Sequence, residues 1–271
     1  MGEDIKTNFY MGVEAAEEEE KAPGGLSGRG LRIWGFVFLL AGAISHGILQ
    51  NSLLGLNTVT GAQLLEIMDS SRSAMILATA ALILQVIESC AVPVFAFLLL
   101  EGFLHTGNVL KYLLRLAGAA LLSEVPYNLA IGGSWIDTGS RNPVFGLVLG
   151  LILLYVYDRY AEKTGQNITV KVVVTLAAVA WAGMLKVDYG FSIILLVCVL
   201  WIFRRNAVYQ NLAAATASVA CTIASPLFLG APMGCLVVHF YNGTKGKINR
   251  WIAYGAYPVL LLAVWLITLF F

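Results

Sequence analysis

Stretches of about twenty apolar residues, separated by short polar connections, recur along most of the chain, and this recurrence restricts its fold more than any single motif. Crossing about 30 Å of hydrocarbon at about 1.5 Å per residue takes about 20 residues of α-helix. Nine windows approach that requirement: 31–50, 76–103, 109–130, 143–160, 170–185, 189–203, 207–224, 227–241 and 251–270. They predict an all-α, polytopic membrane helix bundle of about nine spanning helices. The range is eight to ten, because several windows are short and the pair around Ser225-Pro226 can merge. The second window exceeds one perpendicular crossing and carries Pro93, whose missing backbone N–H predicts a kink or a break there. The sequence shows neither the strand alternation of an outer-membrane barrel nor a fixed-period repeat.

Composition excludes a soluble globular domain: 59% of the 271 residues are hydrophobic and 12% charged, against roughly 45–50% and about 25% in soluble domains. Residues 1–30 hold 7 acidic and 3 basic groups, and residues 31–271 hold 9 acidic and 14 basic groups. Glu17-Glu18-Glu19-Glu20 occupies the place where a secretory signal needs positive charge and an apolar core. Residues 1–30 are therefore expected to form a disordered acidic cytoplasmic tail, followed by one transmembrane domain over 31–271. Within the longest connection, 51–74, the segment 62–68 suits either a short interfacial helix or a plain loop. The four cysteines lie in apolar stretches without CxxC spacing, which predicts buried, reduced packing residues and no metal site.

Orientation follows from the basic residues, which are retained on the cytoplasmic side. With nine spans and a cytoplasmic N-terminus, and leaving out Lys6 and Lys21, twelve lysines and arginines fall at cytoplasmic helix ends or loops. Arg72, Arg141 and Lys186 fall outside. The basic residues are dispersed and form no recognition module, so nucleic acid is not an expected partner. The lipid bilayer is.

An ionisable group inside a span is expensive enough to be a functional candidate by default. His46 lies in the first window, Glu88 and Glu101 in the second, and Arg115 and Glu124 in the third. Lys111 and Arg115 share a helical stripe, placed either to snorkel to headgroups or to bind phosphate. His46 suits a neutral imidazole satisfied by a carbonyl or a general base. Asp188-Tyr189-Gly190 reads as a helix N-terminus with an acid at the positive end of the dipole. Tyr241-Asn242-Gly243-Thr244-Lys245-Gly246 reads as a turn whose amides and lysine can meet an anion.

These segments together resemble the TraX family of bacterial inner-membrane proteins, named for acetylation of F-type pilin. The matching stretches are Pro93 to Thr106, with Leu100-Glu101-Gly102 and Leu104-His105-Thr106; Tyr112-Leu113-Leu114-Arg115-Leu116; Ser123-Glu124-Val125-Pro126-Tyr127; Asn142; Asp188-Tyr189-Gly190; Tyr241-Asn242-Gly243 with Gly246; and Tyr257-Pro258. They cover roughly 31–268 in family order. Three positions depart from the family pattern: Ser45 precedes His46 where aspartate is usual, Ser89 stands where arginine is usual, and Leu260 where histidine is usual.

The resemblance implies transfer of an acetyl or other acyl group from acyl-CoA to an exported peptide, pilin-like, or to a glycan, at the bacterial inner membrane. His46 is then the expected base, Glu124 or Glu88 replaces the missing aspartate, and Asp188 is a further catalytic candidate. Lys111, Arg115, His105 and Lys245 are the candidates for holding acetyl-CoA, and Glu101, Asn142, Tyr241 and Asn242 are further polar positions. The alternatives are a non-catalytic membrane binder of the same family and a small transporter.

Overall fold

The computed structural model describes residues 24–55, 71–162, 164–246 and 250–270. The Glu-rich stretch and segment 62–68 lie outside the described residues. Among these residues the chain forms nine helical rods. Helix α1 (Gly28–Ala43) continues into a π-helical segment, Ile44–Leu53, and α2 (Arg72–Ser89) and α3 (Ala91–Leu104) form one rod broken at Cys90. Helix α4 (Val109–Tyr127) runs into a second π-helical segment, Asn128–Gly132. Next come α5 (Val144–Arg159), α6 (Gly165–Met184), α7 (Gly190–Ile202) and α8 (Ala207–Cys221). A 3-10 turn, Pro226–Gly230, leads into α9 (Ala231–His239), and α10 (Arg250–Thr268) follows. Each rod overlies one of the nine apolar windows.

Local chemistry explains the boundaries. The side chains of Ser27, Ser71, Asn108, Thr164 and Asn206 accept hydrogen bonds from backbone N–H groups of the first turns of α1, α2, α4, α6 and α8. Each cap satisfies a donor that has no partner within its helix. Pro93 has no N–H to donate to the Ser89 carbonyl and its ring crowds that oxygen, so the rod breaks at Cys90 and restarts with Pro93 in the first turn of α3. Pro126 lies in the last turn of α4, directly before the second π-helical segment. That segment closes on Gly133 at φ 69, a conformation that glycine adopts without a Cβ penalty.

Successive rods run antiparallel. Leu26 bridges Tyr241 at one end of the bundle, while Arg141 bridges Val187 and Asn51 Nδ2 donates to the Ile131 carbonyl at the other. Helix α7 is buried along almost its whole length, among α3, α5, α6 and α8. A smaller apolar cluster of Ala43, Tyr127, Ala130, Tyr257, Leu261 and Val264 joins α1, α4 and α10. The four cysteines are free and buried.

The surface shows what surrounds the bundle. Helix α6 is 20 residues long and apolar, yet only 11% of its most apolar stretch is buried inside the protein. Leu176, Trp181 and Met184 project outward. Such a helix gains little from the core and needs an apolar solvent around it. By length and composition three rods, Gly28–Leu53, Arg72–Leu104 and Gly165–Met184, are each sufficient to cross a membrane. The protein is a membrane-associated, all-α bundle.

Candidate functional site

A cavity of about 320 Å³ opens at the bundle end that carries the start of α1 and the end of α3, and runs inward between α1, α3, α4 and α10. Its mouth is basic. Arg32 of α1, Arg115 of α4, His105 after α3 and Lys245 in the α9–α10 loop all line it. The walls are apolar, with Phe36, Leu39, Phe95, Leu116 and Leu147 among them, and Glu88, Tyr189 and Tyr257 line its inner part. Arg32 and Gly42, which packs on Glu88, are ten residues apart on α1. The cationic end and the carboxylate are thus separated by about 15 Å along the helix axis.

Glu88 is the junction of the site. Its carboxylate is 13% exposed and lies 3.6 Å from Nε2 of His46, and it accepts a hydrogen bond from the Tyr189 hydroxyl at 3.5 Å. The His46 imidazole is 27% exposed and also lies 3.3 Å from Nε2 of Gln85. His46 is not itself part of the cavity lining. It stands behind Glu88, on the π-helical segment, whose wider turn re-aims the side chains at the end of the first rod. Ser45 is fully buried, donating to the Ala81 carbonyl at 2.8 Å and accepting from Gln50 at 3.0 Å. The carboxylate nearest His46 is therefore supplied by α2, not by its neighbour in sequence.

Asp188 lies on the other side of this group. Its carboxylate accepts a hydrogen bond from the Tyr127 hydroxyl, which is also 3.3 Å from Ser140 Oγ. It makes no side-chain cap on α7, whose N-cap Tyr189 has φ 55. Asp188 stands just before the N-terminus of α7, and its carboxylate is also engaged in this tertiary bond. Asp188 is within electrostatic reach of both His46 and Glu88.

Glu124 is held elsewhere. One carboxylate oxygen accepts from Arg141 Nη1 at 2.7 Å, and the other accepts from Asn142 Nδ2 at 2.7 Å and from the Asn142 backbone N–H at 3.3 Å. Asn142 is fully buried, donates to the Ala120 carbonyl, and accepts from the Val144 N–H at the start of α5. Glu124 and Asn142 thus pin α4 to the entry of α5. Between the two carboxylates left open by the sequence, the fold brings Glu88 to His46 and keeps Glu124 in this pin.

The other expected positions divide. Arg115 donates from Nε to the Lys111 carbonyl and lines the cavity, whereas Lys111 is exposed and does not. Glu101 accepts from the Tyr241 hydroxyl at 3.1 Å and lies 3.6 Å from His105. Asn242 donates to the Gly25 carbonyl and accepts from Thr244, shaping the loop that carries Lys245. Sequence reasoning missed Gln85 and Arg32 as site residues. Gln85 and Glu88 are three apart on one helix face, and Arg32, Phe36 and Leu39 follow the same periodicity, so the signal was present.

The TraX protein family matches residues 60–268, well over half of the chain. The chain belongs to the TraX family. The match starts after α1, so Ser45 and His46 lie before it, while Glu88, Arg115, Glu124 and Asp188 lie within it. This TraX family member is also 25% identical over 199 residues to a protein of Dichelobacter nodosus described as "Probable fimbrial assembly protein FimC, serogroup H1". The alignment covers 65% of this chain and 79% of the relative. No solved structure matches.

Proposed function

We propose that this TraX family member is a membrane-bound acyltransferase that moves an acetyl or other acyl group from acyl-CoA to an amine or hydroxyl of an exported peptide, pilin-like, or of a glycan, in the bacterial inner membrane. One observation carries the reading: a single cavity joins a cationic mouth to a carboxylate that touches a histidine. Arg115, Lys245 and His105 at the mouth suit the donor's phosphates, and the apolar walls suit its uncharged arm. The family, and the relative's description as a probable fimbrial assembly protein, support an acceptor related to pili.

In the transfer step the acceptor nitrogen or oxygen attacks the thioester carbonyl, the C–S bond breaks, and coenzyme A leaves as a thiolate that takes up the proton carried by the imidazolium. The acceptor's proton passes to His46, while Glu88 orients the imidazole and stabilises the imidazolium, a role that Ser45 cannot fill. His46 lies behind Glu88 and is part-exposed, so the acceptor approaches from its side and the donor from the cavity. The test is transfer of labelled acetyl from acetyl-CoA by the purified protein in lipid. General-base assistance is worth ~10²–10⁴-fold, and His46→Ala is expected to lose that much. Full transfer by His46→Ala overturns the assignment. A second reading, a non-catalytic binder, is favoured by Ser45 standing where the family has aspartate, with its hydroxyl committed to Ala81. It predicts a peptide or lipid partner in the cavity and no saturable binding of acetyl-CoA.

A further inference from the structure

Arg32 reaches the cavity from the second turn of α1, and its Nη1 atom is shielded from solvent without a hydrogen-bond partner among the described residues. A guanidinium nitrogen removed from water with no acceptor is costly, and an anionic oxygen placed against it would recover that cost. Two more cations converge there. Arg115 uses Nε on the Lys111 carbonyl, which leaves the forked end of its guanidinium for a ligand, and Lys245 comes from the α9–α10 loop. The Tyr112 hydroxyl is within electrostatic reach of both guanidiniums. The nearby carboxylate, Glu101, is turned onto Tyr241 and His105 and does not line the cavity.

The position of Lys245 is set by the chain's own entry to α1. Leu26 N–H donates to the Phe240 carbonyl at 2.7 Å, Asn242 N–H donates to the Leu26 carbonyl at 3.0 Å, and Gly28 N–H donates to the Thr244 carbonyl at 2.7 Å. Asn242 Nδ2 adds a bond to the Gly25 carbonyl at 3.2 Å. The approach is close: a Cβ on Gly28 would stand 2.8 Å from the Lys245 carbonyl oxygen. One short segment therefore carries Arg32 four residues after Gly28 and clips the loop that carries Lys245.

We propose that the neck of the cavity is a phosphate-binding site anchored by Arg32 and completed by Lys245, which the clip between residues 25–28 and 240–244 holds in place. Three cations from three elements call for a multiply charged anion, and a guanidinium fork matches phosphate oxygens in geometry. The site stands on the geometry of the neck alone. Only the identity of the phosphate carrier, a coenzyme A thioester, rests on the acyltransferase reading.

The experiment is calorimetric titration of the full-length protein in nanodiscs with three probes: coenzyme A, pantetheine, which keeps the thiol arm without phosphates, and inorganic pyrophosphate. Arg32→Gln is expected to weaken coenzyme A and pyrophosphate at least tenfold and leave pantetheine unchanged. Arg32→Lys keeps the charge but loses the fork and is expected to fall between. Gly28→Ala, which leaves all three cations in place, is expected to weaken both phosphate probes several-fold by shifting the Lys245 loop. If Arg32→Gln does not fold, the Arg32→Lys and Gly28→Ala arms carry the test. Coenzyme A binding unchanged in the Arg32 variants overturns the site, and so does failure of the unsubstituted protein to bind either phosphate probe. Arg32-dependent binding of pyrophosphate without binding of coenzyme A upholds the site and overturns the acyl-CoA reading.

Discussion

Gly42 is bare where α1 crosses Glu88: a Cβ added there would stand 2.0 Å from the Glu88 carboxyl carbon. The carboxylate reaches His46 because α1 offers no side chain in between. Gly42→Ala must therefore displace Glu88, and a misplacement of about 1 Å can cost about 10²-fold in rate. The expected outcome is a loss of that order in acetyl transfer with coenzyme A affinity unchanged, since Gly42 lies far from the mouth; transfer at the unsubstituted rate would show that Glu88 is not needed at His46. Glu88→Gln, which keeps the shape and removes the charge, is expected to lose transfer to a similar degree. The candidates themselves were readable in the sequence, because His46 and Glu88 are ionisable groups in otherwise apolar windows. Their pairing was not. Glu124 and Glu88 are equivalent from sequence, and only the bond from Arg141, 17 residues on, shows that Glu124 is engaged elsewhere.

Between α9 and the α2–α3 rod, two glycines set how closely the elements pack. A Cβ on Gly230 would lie 2.0 Å from the Val86 carbonyl oxygen, and one on Gly234 would lie 2.2 Å from that of Cys90. The Cys90 thiol donates to the Gly230 carbonyl across this seam. The contact falls where Pro93 has broken the rod, so the break and the seam form one joint. Gly234→Ala is expected to destabilise the bundle by ~1–3 kcal/mol, the usual cost of overpacking. A Cβ on Gly118 in α4 would meet nothing within 4 Å among the described residues, and Gly118→Ala is expected to be neutral or stabilising by up to about 1 kcal/mol. Thermal unfolding in one detergent compares the two, and equal midpoints would remove the seam's assigned importance. Element boundaries were legible because hydrocarbon thickness sets a length and caps and prolines mark the ends. The close seam was not, since a glycine within an apolar helix reads the same whether it meets lipid or a backbone carbonyl.

At the scale of the molecule, the alternation of nine rods puts the α1–cavity end and the Arg141–Asp188 end on opposite faces. The cavity mouth shares its face with Arg29, Arg159, Lys171, Arg204 and Arg205, while Arg72, Arg141 and Lys186 lie at the other. Basic residues are retained in the cytoplasm, which on the proposed acyltransferase reading would give the mouth access to a cytoplasmic acyl donor and place Asp188 toward an exported acceptor. Of the three outer cations, Arg141 is paired with Glu124, and Lys186 is bonded to the Thr138 carbonyl. Cysteine labelling tests the arrangement with little background, because the four native cysteines are buried. Gly107 lies exposed between α3 and α4, where a Cβ would meet none of the described residues, and Thr138 is exposed in the α4–α5 connection. A membrane-impermeant maleimide added to intact spheroplasts is expected to label Thr138→Cys and to label Gly107→Cys only after permeabilisation. The reverse pattern would put the cavity mouth outside, where no cytoplasmic acyl-CoA reaches it, and labelling of both in intact spheroplasts would deny that the chain separates the two faces across a membrane.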